Sequence, residues 1–323
     1  MTTPRNFLID TDVASDDAVA LIMALRSPDI TVRGITTVAG NVPLHQATQN
    51  ALLVTELCNQ PTIPVHAGCS KPLLRQPSDA TWFHGNDGLG DLHFHPTKRT
   101  APNPTHAIDA LLTLSREHPN STLVTLGPLT NIAAALLRDP SFAHRIARCV
   151  IMGGNPCCVG NVTPAAEYNI WCDPEAAEIV LRSGMNCELV GWHLCRGQAA
   201  LNATEIAQIK SLNTPLANFA IDCNRTAADA YLKQTGETGI SLPDPTAMAI
   251  ALDPSIATHA SSHPVKIECA SELTRGQTLV DQLNVSTDPR NAPTWSNATT
   301  PTRIIWSLNI PAFKKLLLAS LHP

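Results

Sequence analysis

The sequence predicts an α/β protein with an open, mostly parallel sheet, helices on both faces (a Rossmann-like core) and strand additions near the C-terminus. Short apolar runs alternate with longer helical stretches through most of the chain, the rhythm of βαβ units. Helix starts and stops are marked by Asp, Ser and Pro. Turn residues such as Gly40-Asn41 and Gly153-Gly154 cluster where strands end.

Phe7, Leu8 and Ile9 read as the first buried strand, and residues 18–26 as a buried helix ending near Ser27-Pro28. Residues 30–39 are rich in Ile, Val and Thr and predict a strand; 44–59 predict a helix and 63–66 another strand. Residues 67–104 carry much Pro and Gly without a period and predict a long surface excursion, the kind of segment that forms lids. Within it, His84 and its neighbours Trp82 and Phe83 suit a ligand-facing loop, whose glycines at 85, 88 and 90 permit closure. The rhythm resumes with a helix over 105–119, a strand over 121–127, a helix over 129–140 and a strand over 148–154.

The loop after residue 154 is irregular until Asp173 caps a helix opened by Pro174. A strand over 187–191 follows, then a largely helical stretch over 203–233 that restarts at Pro215. Asp244-Pro245 opens another short helix. Residues 263–270, 277–283 and 302–308 read as strands, and a last helix runs through Leu321. With no internal repeat, one domain over 1–323 is expected.

Composition narrows the function. Hydrophobic residues make up 44% and charged residues 15% of 323, which suits a large buried core rather than disorder. A net charge of −5 with scattered Lys and Arg leaves no footprint for nucleic acid. The N-terminal residues lack a signal-peptide apolar region, and no stretch is apolar for long enough to span a bilayer. Ten cysteines without a CxxC pattern are read as reduced thiols of a cytoplasmic protein.

Chemistry concentrates in the first turn, where Asp10, Asp12, Asp16 and Asp17 crowd a strand-to-helix handover. Like charges this close repel, and burying them unpaired costs several kcal/mol, on the order of an ion's desolvation penalty. Helix capping explains one or two of them; a hard cation with oxygen ligands explains the group. Further polar groups stand at other strand exits: Asn41, the Leu126-Gly127 backbone, the loop from Asn161 to Asn169, and Asp244. Amides and carboxylates around a cation suit a polyol, because each hydroxyl offers one donor and two acceptors.

DTDVASDDA, TTVAGN, LGPLTNIA, MGG, the AEYN segment and DPTA, in that order, resemble the motifs of the inosine–uridine-type nucleoside hydrolases. LTRGQTLVD near the C-terminus is also similar. The resemblance implies calcium-dependent hydrolysis of the N-glycosidic bond of a small-molecule ribonucleoside, by a homodimer or homotetramer. Carried over by motif, it implies Ca2+ ligands at Asp12, Asp17, the Leu126 carbonyl and Asp244, with Asp12 also the general base toward the water. It implies a ribose site of Asp16, Asn41, Met152, Asn161, Glu167 and Asn169, with His84 facing the ligand from the lid and Asp10 structural.

Two departures stand out. Ala14 replaces the usual Gly of the first motif, and Pro243 stands where many members have a His that protonates the leaving base. Pro243 cannot donate a proton. Tyr231 is the expected substitute, since its spacing from Asp244 resembles that of a base-contacting Tyr in some relatives; Asn224, Arg225 and His84 are the other candidates. Trp82 and Phe83 offer faces for stacking on the base. Two other readings compete. Asp10-Thr11-Asp12-Val13 also resembles the nucleophile motif of haloacid-dehalogenase-type phosphatases, with Asp10 as nucleophile. The loss at Pro243 also suits a nucleoside-binding pseudoenzyme.

Overall fold

Alternation along the strands sorts the core into two layers. In β1 (Arg5–Thr11), Phe7 and Ile9 join one buried cluster while Leu8, between them, joins another. The same split recurs in β4 (Ser121–Thr125) and β5 (Ile146–Met152): Val124, Val150 and Met152 face the first layer, and Leu123, Cys149 and Ile151 the second. The remaining strands are β2 (Ile30–Thr37), β3 (Val65–Ala67), β6 (Cys187–Val190), β7 (Ala257–His263), β8 (Val265–Ile267), β9 (Thr278–Val280) and β10 (Thr302–Leu308). The computed structural model describes residues 4–99, 101–295 and 300–322.

Eight strands form one sheet in the order β3-β2-β1-β4-β5-β6-β10-β7, parallel except for β7, which pairs antiparallel with β10. The order reverses between β1 and β4. At such a switch point the connections after neighbouring strands leave in opposite directions, so a crevice opens beyond the strands' carboxyl ends. Asp12 follows β1 and Leu126 follows β4, so both stand at its mouth.

The helix Ser15–Arg26 runs from that mouth into the first layer. Eleven of its twelve residues are buried, which is why its sequence is apolar nearly all round. It packs against the helices Pro243–Leu252 and Ile310–Leu321. Truncating Leu21, fully buried there, would cost about 2–5 kcal/mol as a core cavity. Arg26 and Ser27-Pro28 end the helix as the sequence predicts.

The C-terminal strands part company. Of the three strands expected near the C-terminus, the one over 302–308 becomes β10 and joins the main sheet beside β7, while β8 and β9 form a separate two-stranded antiparallel hairpin. The strand β7 escapes sequence reading because Thr258, His259, Ser261 and Ser262 carry no apolar alternation on a half-exposed edge. The loop predicted as irregular also contains a short helix, Tyr168–Cys172, capped by Glu167. Nor is 67–104 wholly a surface excursion: His84, Gly88, Leu89 and Gly90 are buried, and Asn50 Nδ2 donates to the Asp87 carbonyl at 2.9 Å.

Candidate active site

The crevice floor is acidic. Asp10, at the end of β1, lies wholly buried beneath it: Oδ1 accepts from Thr36 Oγ1 at 2.5 Å and from Asn131 Nδ2 at 2.8 Å, tying β1 to its neighbours. Asp10 is not among the residues that line the cavity, and neither are Asp12 and Asp17; what sets Asp10 apart is that its Oδ1 is taken up by two neighbouring side chains. Asp12, one residue past the strand, is also fully buried, and its Oδ2 accepts the Asn41 backbone N–H at 2.6 Å. Gly40 and Gly127 press on it from two other strand exits. A Cβ at Gly40 would come within 2.1 Å of Asp12 Oδ2, and one at Gly127 within 2.6 Å of Oδ1, so neither position admits a side chain.

Asp17 braces the first turn of the helix. It accepts from Thr11 Oγ1 and, at 2.9 Å, from the Ala14 N–H. Ala14 takes φ −111°, an ordinary extended conformation, so a Cβ is tolerated where the resemblance has Gly. Asp244 reaches the floor from the first turn of the helix Pro243–Leu252, where Pro243 at the helix start has no N–H to lose. One carboxylate oxygen each of Asp16, Asp17 and Asp244 lies within 4.8 Å of the others. The tightest trio therefore includes Asp16, which the motifs assign to the sugar. Asp12 stands beside it, drawn onto the Asn41 amide.

Burial dominates the electrostatics. It pushes the Asp12 and Asp244 carboxyls well above the ordinary carboxylate range, helped for both by neighbouring Asp charges. Burial lifts Asp16 to about 6 and Glu167 to about 7, against the pull of backbone amides. It lowers His84 to about 4, which keeps the imidazole neutral. Asp12 Oδ1 and Asp16 Oδ1 are buried with no hydrogen-bond partner, and no Lys or Arg among the described residues lines the cavity. Orphaned acidic oxygens without a cationic side chain are the donor set of a hard divalent ion. The floor fits one.

Above the floor lies a concave cavity partly open to solvent. Asp16, Asn41, Met152, Asn161, Glu167, Asn169 and the Leu126 backbone line it, so the structure brings together the sugar set that the motifs name. Asn169 Nδ2 donates to the Leu126 carbonyl at 2.7 Å and its N–H to Glu167 Oε1 at 2.9 Å. Glu167 Oε2 accepts the Gly154 N–H at 2.8 Å. Asn161 Oδ1 accepts the Tyr168 N–H at 2.9 Å, which shapes the loop. The lid contributes His84, whose Nδ1 is 2.8 Å from Ser15 Oγ and 3.9 Å from Asp16 Oδ1. Tyr168 joins lid and floor by donating to the Ser78 and Gly40 carbonyls, both at 3.1 Å.

The last wall is aromatic. Phe83 and Trp192 line the cavity with Ala227 and Pro243. Tyr231 is different: it is 1% exposed, stands edge-on behind Trp192 at 6.4 Å between ring centroids, and does not line the cavity. Its hydroxyl donates to Glu237, which Arg196 holds at 2.6 Å. The proton-donor role expected for Tyr231 therefore finds no geometric support; a carboxylate outside the cavity has captured the hydroxyl. The sequence reading missed Trp192, although it stands just beyond the carboxyl end of β6. It also missed Tyr168, inside the AEYN segment. The strand-exit rule would have found Trp192 had it been applied to every strand.

Residues 7–315 match the family model for the inosine-uridine preferring nucleoside hydrolase. The chain belongs to this family. It is 37% identical over 280 residues to the inosine-uridine preferring nucleoside hydrolase of Leishmania major, covering 86% of this chain and 88% of that one. It is 36% identical over 327 residues to a pyrimidine-specific ribonucleoside hydrolase of Shewanella oneidensis, covering 99% and 96%. A solved plant nucleoside hydrolase superposes with a TM-score of 0.92 at 33% identity, covering 98% of this chain and 99% of that one. This nucleoside hydrolase is accordingly an enzyme, a ribonucleoside N-ribohydrolase of a metal-dependent family. The family match runs against the phosphatase reading. No helix among the described residues is long and apolar enough to cross a membrane.

Proposed function

We propose that this nucleoside hydrolase adds water to C1′ of a ribonucleoside from the carboxylate side of the cavity, with Asp12 as general base. The observation that carries the reading is Asp12 Oδ1: buried, without a hydrogen-bond partner, and held in place through Oδ2 by the Asn41 amide. A carboxylate positioned with one free oxygen accepts a proton without reorganising.

Asp12, Asp17, Asp244 and the Leu126 carbonyl would hold a calcium ion, with Asp16 close enough to share it. When bound, the ion supplies Lewis-acid polarisation of the water and of the sugar diol. The side chains do the rest. Asn41, Asn161 and Asn169 hold the ribose hydroxyls, and Glu167 and Asp16 stabilise the positive charge that develops on the sugar as the bond to nitrogen lengthens. Met152 packs on the sugar and His84 closes over it from the lid. The ten cysteines are free thiols, six of them buried, which supports a reducing, cytoplasmic setting. A homodimer or homotetramer is the assembly we expect, and sedimentation will test it.

The deciding experiment is a panel of purine, pyrimidine and modified ribosides, with and without calcium, read by ribose release. Asp12→Asn is expected to lower kcat at least ~10³-fold while riboside binding persists. If Asp12→Asn turns over at the wild-type rate, the general-base assignment fails; if calcium leaves the rate unchanged after chelation, the calcium assignment fails.

A further inference from the structure

The loop after β5 carries two adjacent cysteines, Cys157 and Cys158, that the hydrolase chemistry does not use. Six of the ten cysteines are buried. Burial also pushes the thiols of Cys69 and Cys269 up to about 11 and raises that of Cys158. Cys157 is the one exposed cysteine among the described residues. Thiol–disulfide exchange needs an accessible thiolate, so burial shields the other nine.

The Cys157 backbone is left-handed at φ +58°, a region that L residues rarely adopt. Asn155 holds that turn. Its carbonyl accepts the Cys158 N–H at 3.3 Å, and its Nδ2 donates to the Cys158 and Ala165 carbonyls, both at 3.0 Å. Gln282 Nε2 donates to the Cys157 sulfur at 2.8 Å, while the Cys158 thiol donates to the Val159 carbonyl at 3.4 Å. The two sulfurs thus have separate partners. Adjacent Cα atoms lie only ~3.8 Å apart, below the ~4.4–6.8 Å that a disulfide usually spans. A bridge between neighbours would be strained and easily reduced, so the pair stays a dithiol.

Cys157 lines a groove between its loop and β9, with Asn155, Val159, Pro164, Thr278 and Leu279. No charged side chain among the described residues lines it. Asn155 is 3% exposed, and with both amide hydrogens given to carbonyls its Oδ1 is left buried and unpartnered. An orphaned acceptor in the same groove as an exposed thiol fits a ligand carrying both a sulfur and an N–H. A cysteine-containing peptide has both.

We propose that Cys157 is the site of a mixed disulfide with a small cysteine-containing peptide, seated in this groove with an N–H on Asn155 Oδ1. The Cys157 thiolate bonds to one sulfur of the peptide's symmetric disulfide. That S–S bond breaks with its electron pair going to the other sulfur, which leaves as a thiolate and takes up the proton Cys157 gave up. Cys157 is oxidised and the departing half is reduced, so atoms and electrons balance. The peptide displaces Gln282 Nε2 from the sulfur and loads the turn that Asn155 holds. Asn161 and Glu167 lie further along this loop and line the catalytic cavity, and Glu167 Oε2 accepts the Gly154 N–H at the loop's start. The adduct slows hydrolysis through these two residues.

The test treats the full chain with glutathione disulfide and maps the adduct by mass spectrometry, a readout that needs no turnover. Cys157 is expected to react at least ~10-fold faster than any other cysteine. Bis(2-hydroxyethyl) disulfide offers no N–H; with each rate divided by that for free cysteine, the peptide disulfide should react ~3–10-fold faster, the worth of one hydrogen bond. The adduct should lower kcat/KM for ribosides about tenfold, since misplacing a positioned group by ~1 Å costs up to ~10²-fold. Dithiothreitol should restore it. Cys157→Ser should match the untreated wild type and lose nothing on treatment, and Cys158→Ser should still take the adduct at Cys157. An adduct placed first on another cysteine overturns the site, and equal normalised rates for the two disulfides overturn the groove's recognition of a peptide. An adduct at Cys157 with unchanged kcat/KM, or equal losses in wild type and Cys157→Ser, overturns the coupling to hydrolysis.

Discussion

The acidic floor and the aromatic wall of one cavity are built by opposite means. The floor comes from strand exits: Asp12 one residue past β1, Asn41 just beyond β2, and the Leu126 carbonyl directly after β4. Backbone hydrogen bonds and close-packed glycines hold these groups. The wall comes from the helix Thr81–His84, the turn Trp192–Leu194, the helix Arg225–Thr235 and Pro243, segments far apart in sequence that meet through side-chain packing. Groups held by backbone bonds and glycines leave little room for substitution, whereas a wall built from side-chain packing can be altered one side chain at a time. The differing base preferences carried in the names of the Leishmania and Shewanella relatives fit that division.

The comparison breaks most visibly if the floor does not depend on a cation. Asp16 and Glu167 sit at about 6 and about 7 in the folded protein, against about 4 for unfolded carboxyls. Because the folded values are raised, these groups favour folding at low pH, and their contribution is lost as pH rises from about 4 to about 7. On the proposed calcium reading, a bound ion would take the place of the proton on the floor carboxylates such as Asp16. Its thermal stabilisation should therefore be larger at pH 7.5 than at pH 5.5, and should reach about 2.7 kcal/mol at a hundredfold excess over Kd. Asp17→Asn should remove most of it. Calorimetry with a chelator control checks the sign, and a stabilisation that shrinks with rising pH would contradict the cation-bound floor.

Trp192→Ala probes the wall. Losing a stacking face costs ~1–3 kcal/mol, so KM should rise about tenfold or more while the calcium-dependent stabilisation stays at its wild-type size. If calcium binding falls in parallel, floor and wall are not separable. The smallest effect belongs to Tyr231→Phe, which removes a hydrogen bond to Glu237 outside the cavity. It should cost about 1 kcal/mol of stability and change kcat less than ~3-fold on every riboside. A base-selective loss of kcat would return Tyr231 to the chemistry.

Tyr231 also shows where sequence reading runs out. Ala227, Tyr231 and Gln234 are spaced for one helical face, and Ala227 and Gln234 do line the cavity. The tyrosine reads as a site residue because its spacing from Asp244 resembles that of a base-contacting Tyr in some relatives. Trp192 arrives from another segment and covers it, and Glu237, past the end of the helix, takes its hydroxyl. Asp16 is the milder case: the motif order assigns it to the sugar, while the fold sets its carboxylate within reach of Asp17 and Asp244.

Local chain order determined the parallel strands from β1 to β6, the handover from β1 to the first helix and the identity of the acidic and amide residues, because alternation, caps and strand exits are properties of neighbouring residues. It also located the loss at Pro243. Tertiary packing alone decided which aromatic faces the cavity, which hydroxyls are already spent on carbonyls, and that the acceptor of Asn224 is left free. Those outcomes depend on which atoms of distant segments come within hydrogen-bond and van der Waals reach, a distance the order of residues along the chain does not encode.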